Sequence, residues 1–496
     1  MGNLYDIVVV GGGNAAFCAA HAARERTNSV LVLEKAPRDR AGGNSFFTAG
    51  AFRTAYGSLD NIRSLVSDLT DEQASKIEMP PYTEQHFLAD MQRLTHGRCD
   101  PELTNILVGD SWETVCWMRA HGIRWELMYL RQSFRSGDRI RFWGGLAVGI
   151  AGGGKGLIDQ HTRIAQTKGI EVRYGSPAVE LSRDDAGNVN GVIITGKNGP
   201  ETIGARAVVL ACGGFEADPR MRASYLGPNW DIAKVRGTPF NTGDGIEMAL
   251  AVGAQPFGHW SGCHSVFWDA EAPRSGDWGL TNRLSKLSYP IGIIVNAEGR
   301  RFVDEGADFR NYTYAKYGAE VLKQPGAVAY QIFDAKTEPL LREDEYRAPG
   351  ATRFEATSIP ELARTLGLDT AALEQTISAF NGAVQPGTFD PSIKDGKGTI
   401  GIYPAKSNWA LRLDSPPFVC YPVTCGITFT FGGVRVDSAG AVIDRADRRI
   451  GGLFAAGELV GGLFYHNYPG GSGLMAGSVF GRHAGRAAAA YAAERP

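Results

Sequence analysis

The sequence predicts an α/β fold: a parallel sheet flanked by helices, discontinuous in the chain, with an inserted α+β domain. Three observations predict it. The chain opens with an apolar β-branched run at residues 7–10 (IVVV), followed at once by three glycines and an alanine-rich helical stretch. Such a run, without polar alternation, fits a strand buried on both faces of a parallel sheet. A second run, at 30–33, ends on an acidic residue, and glycine-rich loops recur after strand-like segments as far as residue 462. From about 257 to 406 these loops thin out, and helical and strand patterns mix around Pro/Gly-rich joints.

Taken in order, residues 5–23 read YDIVVVGGGNAAFCAAHAA. Gly11 and Gly13, with Ala16 third, give the GxGxxA form of the dinucleotide fingerprint. The first glycine makes the turn, the second lets backbone approach a pyrophosphate, and the small third residue allows close helix–strand packing. The helix N-terminus faces the phosphates. Glu34 follows the second strand, where a carboxylate accepts ribose hydroxyls. This Rossmann-like unit serves both NAD and FAD. Three further glycine loops, in AGGNSFFTAG (41–50), RAVVLACGGF (206–215) and GGLFAAGELVGG (451–462), suit the longer ligand, FAD. Strand-like segments at 170–182, 188–195 and 203–210 read as a small antiparallel insertion leading to the ACGG strand. Before them one helix opens at Thr83. Another has Asp100 as N-cap and Pro101 at its first position, and stops near Gly122. Phe87, Trp112 and Trp117 read as core.

At 496 residues the chain exceeds one ordinary core. The expected division is an FAD domain at 1–250 and 406–496 and a substrate-capping domain at 251–405. A formal charge of −2 gives no reason to expect nucleic acid as a partner. The cysteines Cys18, Cys99, Cys116, Cys212, Cys263, Cys420 and Cys425 show no CxxC, zinc-ligand or haem-attachment spacing, so no metal or cluster is expected. No apolar run reaches the roughly 18 residues of a membrane span. No leader is expected before the first strand, and MGNLYD has Asp6 where a myristoylation signal needs Ser or Thr. A reduced, cytoplasmic setting is the expectation.

The combination GGGNAA, LEKA, AGGNS..TAG, NTGDG, VN..GRRFVDE and GLFAAGE resembles the flavoprotein superfamily of fumarate reductase and succinate dehydrogenase, over nearly the whole chain. Three stretches look most like the tricarballylate dehydrogenases: RFWGGLAVGIAGGGKGL at 141–157, RFVDEGADFRNYTYAKYG at 301–318 and GGLFYHNYPGGSGLMAG at 461–477. The resemblance implies an FAD-dependent oxidoreductase acting on CH–CH groups, oxidising a small polycarboxylate as tricarballylate is oxidised to cis-aconitate. Cofactor contacts are expected from Gly11, Gly13, Asn14, Ala15, Glu34, Lys35, Gly42, Gly43, Asn44, Ser45, Ala49, Gly50, Ala178, Ala211, Gly213, Asp244, Glu458, Gly473 and Leu474. Asn44 stands where a covalent flavin needs histidine, so the FAD is expected to be noncovalent. With no haem or cluster of its own, the chain needs an external electron acceptor, which the resemblance implies is a membrane iron–sulfur protein.

Desaturation by a flavin needs a base for the proton alpha to an activating group, a flavin N5 to take the hydride, and donors that hold the activating group. For carboxylates those donors should include arginine, whose fork matches the group. In the superfamily pattern the corresponding residues are His264 and Arg310, each displaced by one position. His264 binds a carboxylate or is a buried structural histidine. Arg310 faces the reacting carbon or pairs with Asp304 or Glu305. Departures accompany them: Phe429 replaces a histidine, Tyr468 an arginine, and Ser285 and Ser288 a Glu…Arg proton relay. Plain fumarate reduction is therefore disfavoured. The YPG stretch also resembles the flavin ketosteroid dehydrogenases, where a tyrosine hydroxyl polarises a carbonyl. Tyr468 takes that role on a carboxylate or ketone, or packs on the flavin edge. His466 is a further candidate in this loop. Tyr289, Tyr312 and Tyr314 are unranked acid–base candidates. Arg131, Arg135, Arg139 and Arg141 sit around a hairpin turn at Ser136-Gly137-Asp138 and read as a solvated edge, with Arg131 and Arg135 the first choices for a third carboxylate. The rival readings are a ketone or cyclic keto acid desaturase, a fumarate-reductase-like enoate reductase, and a flavin-binding sensor without turnover.

Overall fold

The computed structural model describes residues 4–196 and 199–495. They form two compact units. The first contains the chain up to Gly227, then Gly237–Cys263 and the chain from Phe429 onward; the second is Pro228–Arg236 and His264–Thr428.

The first unit is built on an eight-stranded sheet. Strand β1 (Leu4–Val10) leads into helix α1 (Asn14–Ala23) and strand β2 (Val30–Leu33). Helix α2 (Gly153–Thr167) precedes β3 (Glu171–Arg173), β4 (Ala178–Arg183), β5 (Val189–Gly196) and β6 (Gly199–Leu210). Near the C-terminus come β7 (Arg449–Ala455) and helix α3 (Ser472–Ala493). The order is β4-β5-β6-β1-β2-β3, with β7 also on β6 and the short strand Ala441–Ile443 on β7. Strands β3, β2, β1, β6 and β7 run parallel. The last four residues of β1 and all of β2 are buried, as a strand covered on both faces must be.

Sequence and structure part company at two places here. Residues 170–182 are not one strand of an antiparallel insertion. Residues 171–173 form β3, which joins the parallel sheet beside β2, and the chain turns at Gly175 (φ +62°) before β4 begins. Of these segments only β4, β5 and the first half of β6 pair antiparallel; the second half of β6 pairs in parallel with β1. The helix expected from Asp100 to about Gly122 is two helices, Pro101–Gly109 and Ser111–Ala120. Asp100 does cap the first, its carboxylate accepting from Leu103 N at 3.0 Å. The break falls at Gly109-Asp110-Ser111, where Ser111 Oγ donates back to the Val108 carbonyl at 2.8 Å, a local bond that competes with helix continuation.

Helix α3 lies on α1 through Gly477, Gly481 and Gly485, one residue per turn on one face. A β-carbon at Gly481 would stand 2.5 Å from the Ala15 carbonyl oxygen, and one at Gly485 would stand 2.2 Å from that of Ala19. The glycines let the two backbones meet, which fixes the end of α1 where the fingerprint begins.

In the second unit, strands Lys234–Val235, Phe418–Val434 (as far as Thr428), Ala329–Asp334 and Ile293–Asn296 lie in that order. Successive residues alternate between faces: Ile293 and Val295 pack with Ile332, Leu373 and Phe380, while Ile294 packs with Val266, Trp268 and Tyr289.

Candidate active site

The cradle after β1 fits a dinucleotide. Gly11 has φ +116°, donates to the Leu33 carbonyl at 2.8 Å, and would clash with the Ala211 carbonyl if it carried a β-carbon. Gly13 is the N-cap of α1 and offers no side-chain cap, so the helix end presents backbone N–H groups, as a pyrophosphate site requires. Glu34 is buried; its Oε1 accepts from Ala36 N at 2.7 Å and its Oε2 crowds the place where Gly12 would have a β-carbon. Burial raises the Glu34 carboxyl above its ordinary range, against backbone hydrogen bonds that lower it. A ribose with two hydroxyl donors suits such an acceptor.

Several residues expected to touch the cofactor turn their side chains to one another. Asn14 Nδ2 donates to the Leu474 carbonyl at 3.0 Å and to Ser478 Oγ at 2.9 Å, and its backbone N donates to Ser45 Oγ at 3.0 Å. Its Oδ1 meets buried His161 at 3.1 Å, and His161 in turn meets His21 at 3.2 Å. Lys35 pairs with Asp244 at 2.6 Å. Asn44 donates to Glu216 at 2.5 Å and accepts from Thr238 N at 2.8 Å. Gly42 has φ +110° and precedes the helical turn Gly43–Phe46; Gly50, after Ala49, has φ +71° and abuts Gly153. Ala178 opens β4, two residues after Ser176, whose N–H donates to the Glu34 carbonyl at 2.9 Å. Gly213 abuts the Asn241 amide, and Glu458 accepts from Thr430 N at 2.7 Å. Gly473 and Ala15 lie in the first turns of α3 and α1.

The stretch FYHNYPGGSG leads into α3. Buried Arg53, which sequence reasoning passed over, anchors it: Nε donates to the Gly470 carbonyl at 2.8 Å, while Nη1 meets Tyr82 Oη at 2.8 Å and Asp90 at 3.2 Å. Gly471 has φ +83° with no space for a β-carbon beside Leu146. Tyr468 is half-buried and stacks on Phe429, centroids 6.3 Å apart, with Phe464 edge-on at 5.3 Å. Two of the positions that depart from the fumarate reductase pattern, Phe429 and Tyr468, thus form one aromatic cluster. His466 is exposed and stacks on His96 at 4.8 Å instead.

The hairpin arginines follow the solvated reading in part. Arg139 and Arg141 are exposed and pair with Glu78 at 3.5 and 2.9 Å. Arg135 is exposed and Arg131 half-buried; the side chain of Ser136 lies outside the described residues.

In the second unit, His264 is fully buried and packs edge-on against Tyr314 at 4.8 Å. Burial first, and the Arg236 charge second, hold its imidazole well below the usual histidine range, so it is neutral at pH 7. Arg236, also missed in the sequence, is buried and donates to Thr428 Oγ1 at 2.8 Å. Arg310 opens the turn Arg310–Tyr312. Glu305 bonds Arg301 and Asp304 bonds Ser407. Next to Arg310, the buried Asn311 amide has no hydrogen-bond partner among the described residues. Tyr289 shares a 2.6 Å hydrogen bond with Thr313, and burial raises its phenol, keeping it protonated. Ser288 Oγ accepts from Arg342 N at 3.1 Å, a structural use.

Comparison with known proteins completes the assignment. Residues 6–474 match the family described as FAD binding domain. A probable fumarate reductase, Ifc3, of Shewanella frigidimarina (strain NCIMB 400) is 30% identical over 495 residues, 99% of this chain and 76% of that protein. The 4-oxocyclohexanecarboxylate 2-dehydrogenase of Sinomonas cyclohexanicum is 28% identical over 552 residues, covering 99% of this chain and 93% of that one. The open conformation of a flavocytochrome c3 fumarate reductase superposes with a TM-score of 0.74 at 28% identity, covering 99% of this chain and 79% of that chain. Among the described residues, no helix is long and apolar enough to cross a membrane. The chain belongs to the FAD-binding family of the fumarate reductase and succinate dehydrogenase flavoproteins, and is an FAD-dependent oxidoreductase acting on carbon–carbon bonds.

Proposed function

We propose that the chain desaturates a carbon–carbon bond of a small polycarboxylate, the tricarballylate to cis-aconitate type of reaction. One observation carries this reading: a buried arginine, Arg236, bears on a fully buried, neutral His264 in the unit that also holds Arg310. A cation and an uncharged donor removed from water favour an anionic partner, and a carboxylate accepts both. Bound FAD supplies the two-electron acceptor for the bond being desaturated.

Within that reaction Arg310 and Arg236 clamp carboxylates, and His264 donates a hydrogen bond that strengthens as charge builds on the activating group. Asn311 offers an amide with donors and an acceptor to spare. Tyr289, held protonated, serves as a donor and not as the base. Tyr468 presents its hydroxyl to the substrate. Gly11, Gly13 and the α1 N-terminus hold the pyrophosphate and Glu34 the ribose, noncovalently. An external acceptor, of the membrane iron–sulfur class, removes the electrons.

A second reading, a ketone or cyclic keto acid desaturase, is favoured by the aromatic cluster of Phe429, Phe431, Phe464 and Tyr468, an apolar wall with a single hydroxyl. Turnover with an artificial electron acceptor separates the two. Tricarballylate should give a product with the ultraviolet absorbance of a conjugated carboxylate; product from cyclic keto acids alone would replace the first reading with the second.

A further inference from the structure

One buried cluster of the nucleotide-binding unit is used neither by the fingerprint nor by the substrate residues. Glu216 is fully buried, and its Oε1 accepts from Asn44 Nδ2 at 2.5 Å and Asn241 Nδ2 at 2.6 Å. Among the described residues its Oε2 receives no N–H or O–H, and the Glu458 carboxyl lies within hydrogen-bonding reach of this one. Glu458 is buried too, with Oε1 accepting from Thr430 N at 2.7 Å and Thr430 Oγ1 at 3.1 Å. Two carboxylates in contact and out of water repel; one proton between them turns that repulsion into a hydrogen bond. The partners come from four separate glycine-rich loops: Asn44 from 41–50, Glu216 after ACGG, Asn241 from NTGDG and Glu458 from AAGE. Glu216 is therefore the tie that holds these loops together.

We propose that Glu216 and Glu458 share one proton that FAD binding requires, so that apoprotein lacking it takes a proton from solvent as it binds FAD. Glu216 is a positioning residue in this scheme, acting through Asn44, Asn241 and Glu458. With both carboxyls ionised the four loops are pushed apart. FAD brings the negative charge of its pyrophosphate and excludes water, and both effects strengthen the pair's hold on its proton. By linkage, FAD then binds more weakly as the proton is lost. Burial pushes the Glu216 carboxyl up to about 7, and burial together with the Glu216 charge raises Glu458 well above the ordinary carboxyl range, which places the effect around neutral pH. The other charged or titratable groups around the pair are few. Arg222 donates to the Glu216 carbonyl oxygen at 2.6 Å and lowers the pair somewhat. Lys35 and Asp244 hold each other, Cys212 stays a thiol with burial pushing it up to about 12, and Glu34 is a separate buried carboxyl in the same cradle.

The test is the FAD dissociation constant of wild-type apoprotein, read by flavin fluorescence from about pH 6 to about pH 9. Binding should be constant on the acid side and weaken above neutrality by up to about tenfold per pH unit. Glu216→Gln keeps an amide donor toward Glu458 without a titrating proton, so its profile should be flat even if its binding is weaker; a merely structural role would weaken binding equally at every pH. Should that variant not refold without FAD, the infrared carbonyl band of a protonated carboxyl in wild-type holoprotein at pH 7, absent from the Glu216→Gln holoprotein, gives the same answer. A wild-type affinity independent of pH, a slope that survives Glu216→Gln and vanishes in Glu34→Gln, or a missing protonated-carboxyl band would overturn the proposal.

Discussion

The packing of α3 on α1 gives a graded prediction. Alanine in place of a mid-helix glycine favours the helix by about 1 kcal/mol where there is space. At Gly477 there nearly is: a β-carbon would meet Asn14 Nδ2 at 3.3 Å and the Ala15 β-carbon at 3.4 Å, so a shift of a few tenths of an ångström admits it. At Gly481 and Gly485 the same atom would stand 2.5 and 2.2 Å from carbonyl oxygens of α1. A carbon–oxygen contact needs about 3.3 Å or more, so the helices must separate by roughly 1 Å, and neither backbone can rotate away. Overpacking of this kind costs about 3 kcal/mol. Less the propensity gain, Gly485→Ala should lose about 2 kcal/mol, Gly481→Ala slightly less, and Gly477→Ala nothing or a small gain. Urea unfolding of the three holoproteins measures the order, and retained FAD on gel filtration reports whether the α1 end has moved. Equal stability of Gly485→Ala and Gly477→Ala, or a gain in both, would mean that propensity decides and that the backbones do not meet as described.

The remaining predictions concern charge and chemistry. Arg310→Lys keeps the charge but loses the fork, and flavin reduction by substrate should fall by about a hundredfold or more with FAD still bound; near-normal rapid-reaction rates would remove Arg310 from the mechanism. Tyr468→Phe keeps the stack on Phe429 and deletes one hydroxyl, so the reduction rate should drop by about tenfold or more. An unchanged rate would leave Tyr468 a packing role. For stability against pH, Glu216 has a folded-state value near 7 against an ordinary 4.5. The folded protein thus binds the proton more tightly, so the contribution is full below about pH 4.5 and lost as pH rises through about 7. It amounts to about 3 kcal/mol. Apoprotein melts across this range should show the decline in wild type and a shallower one in Glu216→Gln.

Much of the nucleotide end was legible because its signals are local. A strand, a glycine turn, a small third residue and an acid occur in register, and each constrains backbone at its own position, as Gly11 against Ala211 shows. The antiparallel strands misled at residues 171–173 because a three-residue strand has no pattern that separates parallel from antiparallel pairing. The helix break at Asp110 was missed since its apolar period continues through it. Glu216, Arg236 and Arg53 were passed over for a different reason. Each works through partners far along the chain, Asn44 and Asn241 for Glu216, Thr428 for Arg236, Gly470 for Arg53, and no spacing in the sequence announces such meetings. The side chains of Asn14, Lys35 and Asn44, residues of the GGGNAA, LEKA and AGGNS motifs, bind distant protein groups, which the motifs do not announce.

The most direct test of the central claim is anaerobic bleaching of the bound flavin by a panel of tricarballylate, succinate, citrate analogues and cyclic keto acids. Fast bleaching by tricarballylate and not by the keto acids is the expected result. Bleaching by keto acids alone, or by none of the panel, would contradict the assignment of this flavoprotein to polycarboxylate desaturation.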